Sequence, residues 1–395
     1  MRNKVFYIIM TVSLAFSCDE KDDINTNIEP DKPLNFTFDL SENYPGSIWP
    51  WEKTLVLIQD LDGNLLDSVT LAGGQRATFS DESVTRFTLT EISMSDNPKA
   101  PRRINTYFSI KSSTKGLKLS PPKPIVSSID ISLGDVDNAL ICNYRGIYME
   151  GPYGIGTPIF DPDNLYVGIR DNEVPKYNVF PGIGSQNEFV INKSDITKLM
   201  ASKTISLPIN SSILRVANDL LRDGARVLFD DVYSTKRPFS NPLTFYYPDE
   251  VLAPYIPNFM YKVNANTYRN YFFNTIPNTV VESNVKPSLT NKNLKSYAVN
   301  ATGDFQVVLG TFYDQDLNWT FYSDKSADLS KTVSEIIRII EIDHPELKVD
   351  KLQFSVASFF NYIGIDNYDS FLEIIFDPNR RINNEINELR VLDVY

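Results

Sequence analysis

LVLIQDLDGNLLDSVTLAGG, residues 55–74, decides how the chain is read. Leu55-Val56-Leu57-Ile58 is a short, unbroken apolar run, the pattern of a buried strand. Leu65, Leu66, Val69 and Leu71 resume it beyond Asp62-Gly63. Asp-Gly between two apolar runs marks a hairpin, because the turn needs a residue that accepts positive φ. Gly73-Gly74 marks the next reversal, ahead of a strand from Arg76 to Phe79. Thr85 to Thr90 alternates, with Phe87 and Leu89 on one face, and Tyr107 to Ile110 supplies a further strand. Short strands with a turn about every ten residues predict a small sandwich over residues 34–117.

This pattern resembles the immunoglobulin-like or transthyretin-like modules of bacterial surface proteins. The resemblance implies a fold and no activity.

Beyond it, Lys118 to Pro124 reads as a stiff linker, since clustered prolines favour extended chain. A middle β-rich domain is expected over 126–236, with strands at Ile141–Met149, Leu165–Ile169 and Arg226–Phe229. It also carries a helix capped by Ser211 or Ser212, lined by Ile213, Val216, Ala217, Leu220 and Leu221, and stopped at Asp223-Gly224. Pro238, Pro242, Pro248, Pro254 and Pro257 mark an irregular connection or boundary. A C-terminal β-rich domain with one helix is expected over 259–395. Its strands are Phe305–Tyr313, Trp319–Tyr322, Leu352–Phe360 and Phe371–Phe376. Its helix has Thr332 and Glu335 at capping-box spacing, carries Val333, Ile336, Ile337 and Ile340 on one face, and ends at His344-Pro345. The fold class is therefore mainly β, tandem β-sandwich modules with a few short helices. The aromatic and proline content (24 Phe, 21 Tyr, 24 Pro) agrees.

The opposite end of the chain gives an address. Arg2 and Lys4 precede an apolar run from Val5 to Phe16. That run falls short of the roughly 20 residues that span a bilayer and reads as a secretory signal. Ser17-Cys18 follows, and the stretch resembles a bacterial lipoprotein signal, residues 1–17, in which Cys18 is acylated. Asp19, Glu20, Asp22 and Asp23 surround Lys21. Lys21-Asp22-Asp23 resembles the acidic export tag of Bacteroidota surface lipoproteins. Residues 18–33 stay polar and read as a flexible acidic stalk. The resemblance implies an outer-membrane protein, held by lipid through Cys18 and facing the cell exterior. Asp67-Ser68-Val69 also resembles a Bacteroidota O-glycosylation acceptor.

Charge narrows the partners. The net charge is −12, and removing residues 1–17 takes away two basic residues and no acid, leaving −14. Nucleic acid and anionic lipid head groups are disfavoured, whereas neutral polysaccharide or an outer-membrane protein partner is compatible.

The chemistry is read mostly from what is missing. The chain has one histidine, His344, so a two-histidine metal site within one chain is excluded. With Cys18 acylated, Cys142 is the only thiol left and reads as a small core residue. GPYGIG (151–156) and PGIG (181–184) lack phosphate-loop spacing. Asp161-Pro162-Asp163-Asn164 and Asp314-Gln315-Asp316 read as turns rather than calcium loops. No catalytic residue, metal or cofactor is assigned. Trp49, Trp51 and Tyr153 are the candidate ligand-binding residues, because exposed rings stack on sugars or anchor proteins. Trp319, in a strand-like segment, reads as core.

The expected function is a non-enzymatic, lipid-anchored surface protein that binds glycan or a protein partner. Its layout resembles the surface glycan-binding lipoproteins of polysaccharide-utilisation systems. Two alternatives stand beside it. One is a fimbrial or adhesin subunit assembling by strand addition at an open edge. The other is a glycan hydrolase using two carboxylates about 5–10 Å apart.

Overall fold

The computed structural model describes residues 33–42, 53–95, 102–119, 128–136, 139–143, 146–150, 157–160, 164–169, 175–183, 188–208, 212–222, 225–233, 242–247, 255–273, 277–325, 329–377, 380 and 382–395. The first region contains β1 (Leu34–Asp39), β2 (Lys53–Gln59), β3 (Leu65–Ala72), β4 (Arg76–Asp81), β5 (Arg86–Met94), β6 (Arg102–Lys111) and β7 (Gly116–Lys118). The middle region contains β8 (Ser128–Leu133), β9 (Ala139–Asn143), β10 (Gly146–Glu150), β11 (Thr157–Phe160), β12 (Asn164–Ile169), β13 (Lys176–Pro181), β14 (Glu188–Ile191), β15 (Lys198–Leu199), β16 (Ala201–Ile205), β17 (Ser212–Arg222), β18 (Ala225–Tyr233) and β19 (Leu243–Tyr247). The last contains β20 (Tyr255–Asn264), β21 (Thr267–Phe273), β22 (Lys286–Asn291), β23 (Ala298–Thr302), β24 (Val307–Asp314), β25 (Leu317–Ser323), β26 (Gln353–Ile363) and β27 (Glu388–Val394), with helices α1 (Ser330–Asp343), α2 (Tyr368–Phe376) and α3 (Ile382–Glu385). The protein is mainly β, of β-sandwich type, with few short helices.

The hairpin read from residues 55–71 is present. β2 and β3 pair antiparallel from Lys53↔Ala72 to Gln59↔Leu65. Gly63 turns the chain at φ +88°, and the Asn64 backbone N–H donates to Asp60 Oδ1 at 2.8 Å. A Cβ on Gly63 would meet the backbone N of Thr332 in α1 at 3.0 Å, whereas one on Gly74, also at φ +88°, meets nothing within 4 Å. Gly63→Ala is therefore expected to cost about 1–3 kcal/mol, and Gly74→Ala less, since it carries only the backbone strain. Equal losses in urea denaturation would show that the approach of the turn to α1 contributes nothing.

Three strands in the order β4-β1-β7 form a small sheet. Its Phe36 and Phe38 pack with Val56, Ile58, Phe87 and Leu89 of the large sheet in one core, which α2 joins through Phe371 and Phe376. Phe36 stands edge-on to Phe87 at 5.1 Å and to Phe376 at 6.0 Å. Arg86 grips Asp369 in the first turn of α2 with two hydrogen bonds, of 3.1 and 2.8 Å. The other face of the large sheet is covered by α1, whose Val333, Ile336, Ile337 and Ile340 pack on Leu57, Ile92, Ile104 and Trp319. Both faces of β5 are thus buried along most of its length.

The large sheet has the order β18-β17-β20-β21-β27-β26-β24-β25-β6-β5-β2-β3. Its central event is the parallel pairing of β6 with β25, from Arg102↔Leu317 to Tyr107↔Tyr322. Through that pair the sheet of residues 34–117 runs without a break into the strands of 259–395.

Three local expectations are corrected. Ser212–Arg222 is strand β17, not a helix, paired to β18 on one side and β20 on the other. β-branched Ile213 and Val216 suit a strand, and two flanking partners satisfy the backbone. Phe371–Phe376 is helix, not strand. The Asn367 side chain caps it by accepting from Ser370 N at 3.0 Å, and Tyr368, Phe371, Leu372 and Phe376 repeat at helical spacing against the core. α1 begins at Ser330 after Leu329 with no side-chain cap, so Thr332 does not cap it and is buried instead. Its end at His344 is as expected.

Candidate functional site

Cys18, Trp49, Trp51 and Tyr153, the residues assigned to lipidation and ligand binding, lie outside the described residues. His344 closes α1, with Nδ1 3.4 Å from Glu346 Oε1. Trp319 is core: it is fully buried, stacks on Phe321 at 4.9 Å, and donates from Nε1 to Thr106 Oγ1 at 3.0 Å. Among the described residues no three His, Cys, Asp or Glu side chains group as metal ligands, and no helix is long and apolar enough to cross a membrane.

Two surface features stand out among the described residues. The first is the free edge of β3, the last strand of the large sheet among the described residues. An edge strand offers its outward N–H and C=O groups to another strand, and charges, proline or short length normally guard it. β3 has eight residues, one charge (Asp67) and no proline. By contrast β7 has three residues, β4 carries Arg76 and Asp81, and β18 carries Arg226, Asp230 and Asp231. Leu65 and Leu66 of β3 are 39% and 36% exposed. The Ser68 N–H is held by Asp67 Oδ1 at 2.7 Å and the Ala72 N–H by Gln75 Oε1 at 2.8 Å. Side-chain acceptors here place the amides of Ser68 and Ala72 on the outer side of β3, and by the same alternation that of Thr70 points outward; a bulge between Asp67 and Leu65 breaks the alternation at Leu66.

The second surface is a polar band on the face of the large sheet that also carries α2. Register aligns Glu91, Asn105, Thr320 and Thr311 in one row across β5, β6, β25 and β24. It aligns Ser93, Arg103, Asn318 and Tyr313 in the next. The intervening residues Ile104, Trp319, Phe321 and Phe312 turn to the α1 core, which leaves the polar ones on the opposite face. Tyr313 is 52% exposed and Arg103 is exposed, whereas Asn105, Asn318, Thr320 and Thr311 are half-buried.

Glu91 lies at the buried end of this band. It accepts from Asn105 Nδ2 at 2.5 Å through Oε1, while Oε2 and the nearby Thr54 Oγ1 have no hydrogen-bond partner. Burial raises the Glu91 pKa, against the pull of the Asn105 amide and the Arg103 charge. The folded chain therefore holds this proton more tightly than the unfolded one. The contribution is full at pH below the ordinary glutamate range and is lost as pH rises through the folded pKa. Glu91→Gln keeps an acceptor for Asn105 and cannot ionise. The wild type should lose stability relative to this variant as pH rises above the ordinary glutamate range; a constant difference in thermal midpoint would contradict that.

Asp393 on β27 is the other acid raised by burial, with Ser358 Oγ donating to it at 2.5 Å and the Asn270 amide donating as well. β5 and β27 are five strand spacings apart in the sheet, or roughly 24 Å at ~4.8 Å each. Glu91 and Asp393 are too far apart to flank one glycosidic bond, which needs carboxylates within about 10 Å.

No family model and no curated protein matches this chain. Among solved structures, the crystal structure of a fimbrial assembly protein from Parabacteroides distasonis aligns over 68% of this chain and 98% of that one, at 11% identity and a TM-score of 0.14. At that score the likeness establishes neither fold nor function.

Proposed function

We propose that this chain is a non-enzymatic surface protein, anchored by lipid at Cys18, that assembles with further copies of itself by strand addition at β3. The β3 edge is the observation that carries this reading: it is long, sparsely charged, and begins with exposed Leu65 and Leu66. Such an edge is a liability for a monomer and a template for a subunit. Main-chain hydrogen bonds supply the affinity, and the alternating side chains of the incoming strand supply register. The acidic stalk of residues 18–33 gives the assembly reach from the membrane.

The test is electrophoresis of outer-membrane material without boiling, developed with an antibody to this chain. A ladder of regularly spaced species that collapses to monomer on boiling is expected. Monomer alone, before and after boiling, would refute assembly.

A further inference from the structure

The polar band on β6, β25 and β24 is a second contact surface, and we infer that it binds a neutral glycan chain. Four observations bear on the occupant.

Tyr313 presents about half of its surface at one end of the row, and an exposed ring packs against the apolar face of a sugar. Asn318 and Arg103 follow it across adjacent strands, so the row from Tyr313 to Arg103 extends over roughly 10 Å of sheet. Planar amides and hydroxyls offer donors and acceptors together, as sugar hydroxyls require. Of these, Asn105 is already oriented by its bond to Glu91, which leaves a second amide hydrogen and a carbonyl oxygen unused in that contact.

Charge separates the remaining classes. Arg103 is the exposed charge of these two, Glu91 being buried, and the chain as a whole carries −12, which opposes a polyanion. An apolar partner would bury the amides and hydroxyls without replacing their water, at about 1–3 kcal/mol for each group left unpaired. A neutral, hydroxyl-rich polymer meets neither penalty. This surface is separate from the β3 edge: β2, β5 and β6 lie between β3 and β25. Glu91 acts as a positioning residue for Asn105.

The test is native affinity electrophoresis of the mature chain in gels containing a soluble β-glucan, an α-mannan or an arabinogalactan, with heparin as the polyanion. Retardation by at least one neutral polymer and none by heparin is expected. Tyr313→Ala and Asn318→Ala should each weaken binding tenfold or more, while Tyr313→Phe, which keeps the ring, should retain it. A variant blocked at β3 should bind as the wild type does, so failure of strand assembly and failure of glycan binding are read separately. Absence of retardation in all three neutral polymers, retardation by heparin, or retardation unchanged in Tyr313→Ala and Asn318→Ala would overturn the inference.

Discussion

Trp319→Ala is expected to lower the stability of the chain by about 3–5 kcal/mol in urea denaturation, as for large aromatic truncations in packed cores. The indole is fully buried, and its Nε1 donates to the Thr106 hydroxyl, which is in turn hydrogen-bonded to the Thr90 hydroxyl at 3.0 Å. The position adds to the effect. Trp319 stands opposite Ile104 in the parallel β25–β6 pair, where the N-terminal strands join those of the C-terminal region. A parallel pair has no tight turn of its own, so packing across it must hold the two strands together. α1 joins the same buried core through Val333, Ile336 and Ile340. Trp319→Phe keeps most of the packing and loses the indole bond, so it should cost less, about 1–2 kcal/mol. A loss below about 1 kcal/mol for Trp319→Ala would mean that the join is held elsewhere.

Pairing Leu66→Lys with Ser68→Lys is expected to abolish the unboiled ladder and leave monomer. Both side chains are exposed. Lysine on an edge strand blocks a docking strand by charge and desolvation, which is how soluble β proteins protect their edges. Neither residue belongs to the core, so stability should stay within about 0.5 kcal/mol of the wild type. A persisting ladder in a variant of unchanged stability would exclude β3 as the assembly edge.

The hairpin at residues 55–71 was legible because its signal is local: apolar runs on both sides of an Asp-Gly turn. The same dipeptide at Asp223-Gly224 reads as a helix stop after Ile213, Val216 and Leu220. Arg222 pairs with Ala225, however, so it separates two antiparallel strands. Periodicity over short apolar stretches fits both readings, and only the strands on either side decide between them. Phe371–Phe376 fails in the opposite direction, since FLEIIF reads as a strand until the Asn367 cap and the core contact of Tyr368 are known. α1 was legible from its stripe of Val333, Ile336, Ile337 and Ile340. The β6–β25 pair was not, because no local pattern records a partner more than 200 residues away. For the same reason the polar band escaped the sequence reading. Leu317-Asn318-Trp319-Thr320-Phe321 shows the alternation of a two-faced strand, but which strands align Asn318 with Arg103 and Tyr313 is a property of the sheet.

The most direct test of the assembly edge is amide hydrogen exchange at Thr70. Its N–H group should exchange fast in the isolated chain while the paired amides of β2 are slow. In polymers taken from the cell surface it should become protected, at a rate set by disassembly. Equal, fast exchange at Thr70 in monomer and polymer would show that β3 receives no strand.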